Sequence, residues 1–252
     1  MDTNDYRILN EVQLWQKQMQ RSPSLVNRMA KALQNRVNKI IPEKIHTVIT
    51  SAIKHMVRAV LFGSQLTTSK PLKNVSSEER EAKIVERINF YKHTAAAEGG
   101  LTGAGGFMLA LADFPLLLTL KMKMLFDITN IYGFDVEDYR ERIYILYIFQ
   151  LAFSSQEKRR EVYLQMVNWT EQRQHFPADI HQFDWRSFQQ EYRDYIDLAK
   201  LAQLIPVIGA AVGVVVNYRL LDKLGTTAKN AYRMRLFEEH ILKEAKEITN
   251  RP

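Results

Sequence analysis

The chain has no cysteine. That excludes disulfides, thiolate metal sites and a cysteine nucleophile, and it fits a reducing compartment. Proline is sparse, at seven in 252 residues, and no turn dipeptide sits between alternating apolar runs, so a sheet has no sequence support. No apolar run meets the demands of a membrane span of about 20 residues. Residues 101–120 reach the length, but Asp113 and Pro115 interrupt them. Residues 201–216 are uncharged but only sixteen long, with Pro206 inside. Both read as buried core helices, with a helical hairpin dipping into a bilayer as the open alternative. Residues 1–5 are acidic, with no apolar run behind them, so no signal peptide is read there.

Acidic side chains nearly vanish from one window. Residues 17–58 hold nine Lys/Arg and one acid, Glu43, a net of +8. With +7 overall, the rest of the chain carries −1. A basic quarter on a near-neutral body points to an anionic partner or to a solvated helix face. Within it Leu25, Met29, Leu33, Val37 and Ile40 recur at helical spacing, and Arg28, Lys31, Arg36 and Lys39 fall off that stripe. These four are the expected contacts to anionic lipid headgroups. A nucleic-acid partner would rest on the same charge but lacks a recognised module.

Signatures of catalysis are missing as well. Gly103-Ala104-Gly105-Gly106 is followed by no Lys-Ser/Thr and preceded by no strand, so it is not a phosphate loop or a dinucleotide fingerprint. There is no His-Glu-x-x-His and no Gly-x-Ser-x-Gly. The six histidines are scattered, and neither a metal site nor a cofactor is expected.

What is present is helical periodicity. Ile45, Val48, Ile49, Ala52, Ile53, Met56, Val57, Val60 and Leu61 form one apolar stripe behind Pro42. Ser76 or Ser77 caps a helix through Tyr91, with Glu79 as capping-box partner to Ser76. A helix over 114–131 ends at Gly133, and Asp135 opens one over 136–153. Another is read around 162–171. Asp184 caps a helix over 185–198, and a last one covers 227–248. The aromatics Trp169, Phe176, Phe183, Trp185, Phe188, Tyr192 and Tyr195 read as core packing rather than a stacking surface.

Seven of the ten glycines fall in two apolar stretches, 98–106 and 204–213. Each contains small-xxx-small spacing, Gly99/Gly103 and Gly209/Gly213. That spacing bares backbone on one helix face and admits a neighbouring helix or a lipid. A glycine inside a helix costs about 1 kcal/mol relative to alanine, so the clusters need a packing or functional reason. Asp113 reads as a helix N-cap with Pro115 close behind. Asn217 reads as a buried amide satisfied by backbone.

The order of several short motifs resembles the EcsC protein family. They are Asn38-Lys39-Ile40-Ile41-Pro42-Glu43-Lys44-Ile45, Gly103 to Gly106 with Ala112-Asp113-Phe114-Pro115, and Tyr132-Gly133-Phe134-Asp135 before Glu141-Arg142. Asp184-Trp185 with residues 189–195, the run 205–213 with Asn217, and Ala231-Tyr232-Arg233-Met234-Arg235 continue the pattern. The resemblance implies a bacterial, predominantly helical protein. The family's operon also encodes an ATP-binding-cassette transporter, and the lack of a Walker motif means this chain is not the ATPase.

The sequence therefore predicts an all-α fold, a single EcsC-like multi-helix domain over 1–252 with two Gly-rich apolar core helices. Residues 1–63 would be basic amphipathic helices, and 76–153 and 184–248 the core. The expected function is a non-enzymatic accessory protein, lipid-binding or linked to the transporter, peripheral at the cytoplasmic membrane face. Its partners would be anionic lipid or a membrane protein. The alternative is a hydrolase with Glu98 and Asp113 as acid/base groups in an inter-helix pocket.

Overall fold

The apolar stripe of residues 45–61 folds as predicted, in a helix that buries Ile49, Ile53, Val57, Val60 and Leu61. The computed structural model describes residues 3–21, 43–62, 70–104, 113–196 and 209–249. Helices carry them: α1 (Thr3–Gln20), α2 (Glu43–Phe62), α3 (Ser77–Ala104), α4 (Phe114–Ile131), α5 (Tyr139–Phe153), α6 (Gln156–Met166), α7 (Trp169–Gln172), α8 (Trp185–Tyr195) and α9 (Gly209–Thr249). No strand forms among the described residues; one isolated bridge joins Ser154 and Ile196. The fold is all-α. Among the described residues, no helix is long and apolar enough to cross a membrane.

Local signals set many of these ends. Ser76 Oγ accepts the Glu79 N–H at 3.1 Å, and Asp184 Oδ1 accepts the Ser187 N–H at 3.1 Å. Both are side-chain caps on otherwise unpaired helix-start donors. Gly133 stops α4 with φ of +90°, and a Cβ there would stand 3.1 Å from the Leu72 carbonyl oxygen. Only glycine accepts that turn without strain.

Four expected boundaries move. The first helix of the Gly-rich region does not stop at Tyr91 but runs on to Ala104. The last does not start at Thr227 but at Gly209, which makes it 41 residues long. The helix expected from Val136 starts at Tyr139, because the Asp138 carboxylate takes the Arg140 N–H, while Asp135 caps only the preceding turn through Glu137 N–H. The helix expected around 162–171 is two, α6 and α7, parted at Asn168, whose φ of +54° is left-handed.

Tertiary packing explains the extended helices. The α3 and α9 helices run antiparallel along each other. Glu81 pairs with Arg233 at 2.6 Å and Lys92 with Asp222 at 2.6 Å. Between them Ile88 lies on Gly225, where a Cβ would come within 2.8 Å of the isoleucine. The absent side chain lets the backbones approach, and that contact offsets the low helix propensity of glycine. The α4 helix also runs antiparallel to α3: Tyr91 donates to Asp127 at 2.8 Å and Tyr132 to Glu81 at 3.1 Å. It follows that the end of α3, the start of α4 and the start of α9 lie at one end of the bundle.

The other helices wrap this trio. The α5 helix packs on α9, with Tyr144 donating to the Ala231 carbonyl at 2.9 Å. The α1 helix crosses α9 and α6, with Trp15 edge-on to Tyr163 at 5.9 Å. The α8 helix bridges α2 and α5 through Gln189 to the Lys54 carbonyl and Gln150 to the Tyr192 carbonyl. The dense aromatics are core: Trp169, Phe176, Phe183, Phe188 and Tyr192 form a chain of ring contacts 5.5–5.8 Å apart.

Candidate functional site

Two regions gather the motif residues, and their chemistry differs. At the lower end, away from the glycines, Tyr232 stacks on Tyr132 at 5.3 Å and on Phe134 at 5.4 Å. Its hydroxyl hydrogen-bonds the Thr129 hydroxyl at 2.6 Å. Arg235 lies 3.8 Å over the Phe134 ring and grips buried Glu141 with two N–H donors. Arg173 bonds the same carboxylate at 2.8 Å and also pairs with Asp138. Burial alone would lower the Arg235 pKa, but the Glu141 bonds and charge hold it above its usual range. Every charge here is answered inside the fold, which is the condition for burying such groups. These residues clamp α5, α9 and the loop after α7; they leave no free acid or base.

The glycine end is built differently. Gly99 and Gly103 sit in the last turns of α3, and Gly209 and Gly213 in the first turns of α9. The antiparallel register brings these turns to the same end. Leu116 at the start of α4 is 56% exposed, and Val215 near the start of α9 is 48% exposed. One turn below, Lys92 lies 4.4 Å over the Tyr218 ring and bonds Asp222. Burial works against its charge, but the Asp222 and Tyr218 hydrogen bonds raise its pKa.

Asn217 corrects the sequence expectation. Its side chain has no exposure, and neither amide atom has a hydrogen-bond partner among the described residues. It does not bond back to the carbonyl one turn earlier, as Thr227 and Asn230 do further along the same helix. Lys121, on α4, is fully buried as well, its Nζ bonding the Leu117 carbonyl at 3.3 Å. Sequence reading missed it, although the spacing to Leu117 and Leu125 places it on the apolar face.

The remaining predicted site residues divide as follows. Arg28, Lys31, Arg36 and Lys39 lie outside the described residues, as do Gly105 and Gly106. Glu98 stands in α3 with its side chain outside the description. Asp113 takes the N-cap position of α4, its carbonyl accepting from Leu117 N–H at 3.1 Å, but its side chain makes no cap hydrogen bond. Glu98 and Asp113 thus share an end of the bundle, and no contact between them is described. Among the described residues no cluster of ligating side chains could hold a metal.

Between α2 and α4 the structure opens a groove of about 370 Å³. Its walls are Val48, Ala52, Met56, Val60, Leu118 and Met122, with Ser51, His55 and Thr119 as its polar side chains. The solvent face of α2 carries Lys54 and Arg58, both exposed, and no acid follows Glu43 in that helix. With Lys17 in the last turn of α1 and Arg21 just after it, this helix makes up the described part of the basic window.

A family model for the EcsC protein family matches residues 6–237. Protein EcsC of Bacillus subtilis (strain 168) is 45% identical over 238 residues, covering 94% of this chain and 98% of that one. The uncharacterized protein YdbA of the same organism is 28% identical over 156 residues, 62% of this chain and 57% of its own. No solved structure matches the chain. The motifs that meet at Tyr132, Glu141, Tyr232 and Arg235 lie within the matched span, and the chain belongs to the EcsC protein family.

Proposed function

We propose that the protein is a non-enzymatic accessory factor that binds anionic lipid at the cytoplasmic face of the membrane. The observation that carries this reading is α2. One face of that helix is in the core; the other presents Lys54 and Arg58, which form no ion pair among the described residues. Structural cations elsewhere in the fold are matched, as in Arg233 with Glu11 and Glu81. Cations on an exposed face contribute about 1 kcal/mol each toward an anionic surface, within a Debye length of about 8–10 Å. The accessory role beside a transporter that the family resemblance implies would turn this same face to the membrane.

Vesicle co-sedimentation tests the reading. Binding should rise with phosphatidylglycerol content, fall with salt, and drop several-fold in the Lys54→Gln/Arg58→Gln double variant. Binding indifferent to lipid charge and to salt would overturn it.

A further inference from the structure

The groove between α2 and α4 adds something the surface reading does not contain. Its apolar walls face each other across two helices that run the same way. The end of α2 adjoins the start of α5, since Arg142 donates to the Leu61 carbonyl at 2.9 Å, and α5 follows directly on α4. About 370 Å³ is within the range of ligand clefts, which run from about 300 to 1,000 Å³. Met56 and Met122, one from each wall, are unbranched and adapt to an irregular apolar guest.

The rim is polar and cationic. Ser51, His55 and Arg58 follow one another along successive turns of α2 at the solvent edge. Across the groove, exposed Lys123 stands one turn beyond Thr119 on α4. The acids nearby do not oppose them. Asp127 is bonded to Tyr91 and lies 3.6 Å from Arg87, and Asp113 heads α4 ten positions before Lys123, about 15 Å along the helix. An apolar slot edged by cations on both banks is complementary to an amphiphile with an anionic head.

We propose that this groove takes one acyl chain of an anionic phospholipid, with the headgroup phosphate at the rim formed by His55, Arg58 and Lys123. The inference rests on the membrane-surface reading and makes it specific: the protein holds a single lipid as well as meeting a charged surface. Each phosphate oxygen accepts hydrogen bonds from the rim donors, and the chain replaces water along Val48, Ala52, Met56 and Leu118.

The test uses the full chain, stripped of lipid, then offered phosphatidylglycerol, phosphatidylcholine or oleate and examined by native mass spectrometry. One phosphatidylglycerol per chain is expected, at least tenfold tighter than phosphatidylcholine or oleate. Ala59→Trp on α2 and Thr119→Trp on α4 fill the groove from either bank. Both positions are exposed, so both variants are expected to keep the wild-type melting temperature. Each should lower one-lipid retention at least tenfold while salt-sensitive sedimentation on phosphatidylglycerol vesicles stays within about twofold. Retention unchanged in both folded variants would overturn the proposal, and so would equal retention of all three probes. Wild-type protein that retains one phosphatidylglycerol but shows no salt-sensitive sedimentation would instead overturn the surface reading and leave the groove assignment standing.

Discussion

Arg235 holds Glu141 through two N–H donors, Nη1 to Oε2 and Nη2 to Oε1 at 2.8 Å, joining α9 to α5 in a setting where both side chains are almost wholly buried. Such a fork is the strong form of a charge-assisted pair. Removing one partner strands the other charge. Arg235→Ala is expected to destabilise by about 3–5 kcal/mol, and Arg235→Met with Glu141→Leu to recover most of that loss. Urea unfolding midpoints of the single and double variants check it. A mild single variant would mean that Arg173 alone answers Glu141.

Gly225 makes a second prediction. A Cβ at this position would meet three carbons of Ile88 at 2.8–3.0 Å. Ile88 is β-branched and cannot swing away cheaply. Gly225→Ala should therefore lower stability by about 1–3 kcal/mol through overpacking, although alanine is the better helix former. Ile88→Val in the same background should restore part of it. A thermal melt decides; stabilisation by the alanine would mean that α3 and α9 can separate without loss.

Asp113 occupies a cap position without making a cap hydrogen bond. The sequence alone predicts a cost of about 0.5–2 kcal/mol for Asp113→Ala. With no side-chain bond to lose, both Asp113→Ala and Asp113→Asn should fall within about 0.5 kcal/mol of the parent. Equilibrium unfolding measures that. Cellular complementation by the same variants addresses the hydrolase alternative: a stable Asn variant that fails to complement would favour an acid/base role over the lipid reading.

Glu238 gives a pH signature. Burial raises its pKa from the usual 4.5 to about 7, against the Asn168 N–H and Arg235, which pull it down. Between those values the unfolded chain has released the proton that the folded protein keeps. Stability from this group therefore falls as pH rises from about 4.5 to 7 and is level above that. Glu238→Gln should flatten the melting temperature across that interval and raise it at pH 8. A variant whose pH profile matches the parent would show that Glu238 titrates normally.

Asn217 carries an unpaired amide in a fully buried position. Leaving such a group unbonded costs about 1–3 kcal/mol, and an apolar side chain of similar size avoids the cost. Asn217→Leu is expected to stabilise the protein by that order. Calorimetry at matched pH is the check, and destabilisation would mean the amide is bonded in solution.

The fold was legible where one helix face explains itself. The stripe through Ile49, Ile53, Val57 and Val60 is amphipathic, so its burial follows from spacing alone. Caps at Ser76 and Asp184 act within four residues and were readable for the same reason. The continuation of helix through Gly99, Gly103 and Gly225 was not. Glycine propensity argues against it, and at Gly225 the compensation comes from Ile88 on a partner helix more than 120 positions away in the chain. The lower clamp was visible only as short motifs, because nothing local tells that Glu141 and Arg235 meet. The groove escaped for a related reason: His55 and Arg58 belong to a charged window, but which wall they edge depends on where α4 docks.

The pairing of α3 with α9 also bears on how the chain comes to be folded in the cell. Glu81 and Arg233 are 152 positions apart, and the apolar side of α3 finds its cover on a helix that is made late. During synthesis at about 5–20 residues per second, Ile88 leaves the ribosome several seconds or more before Gly225 exists to receive it. Throughout that interval a sticky, glycine-ended helix must stay soluble without its mate. Aggregation of chains truncated before α9 is therefore the expected outcome, and it would follow from the topology itself rather than from any single weak contact.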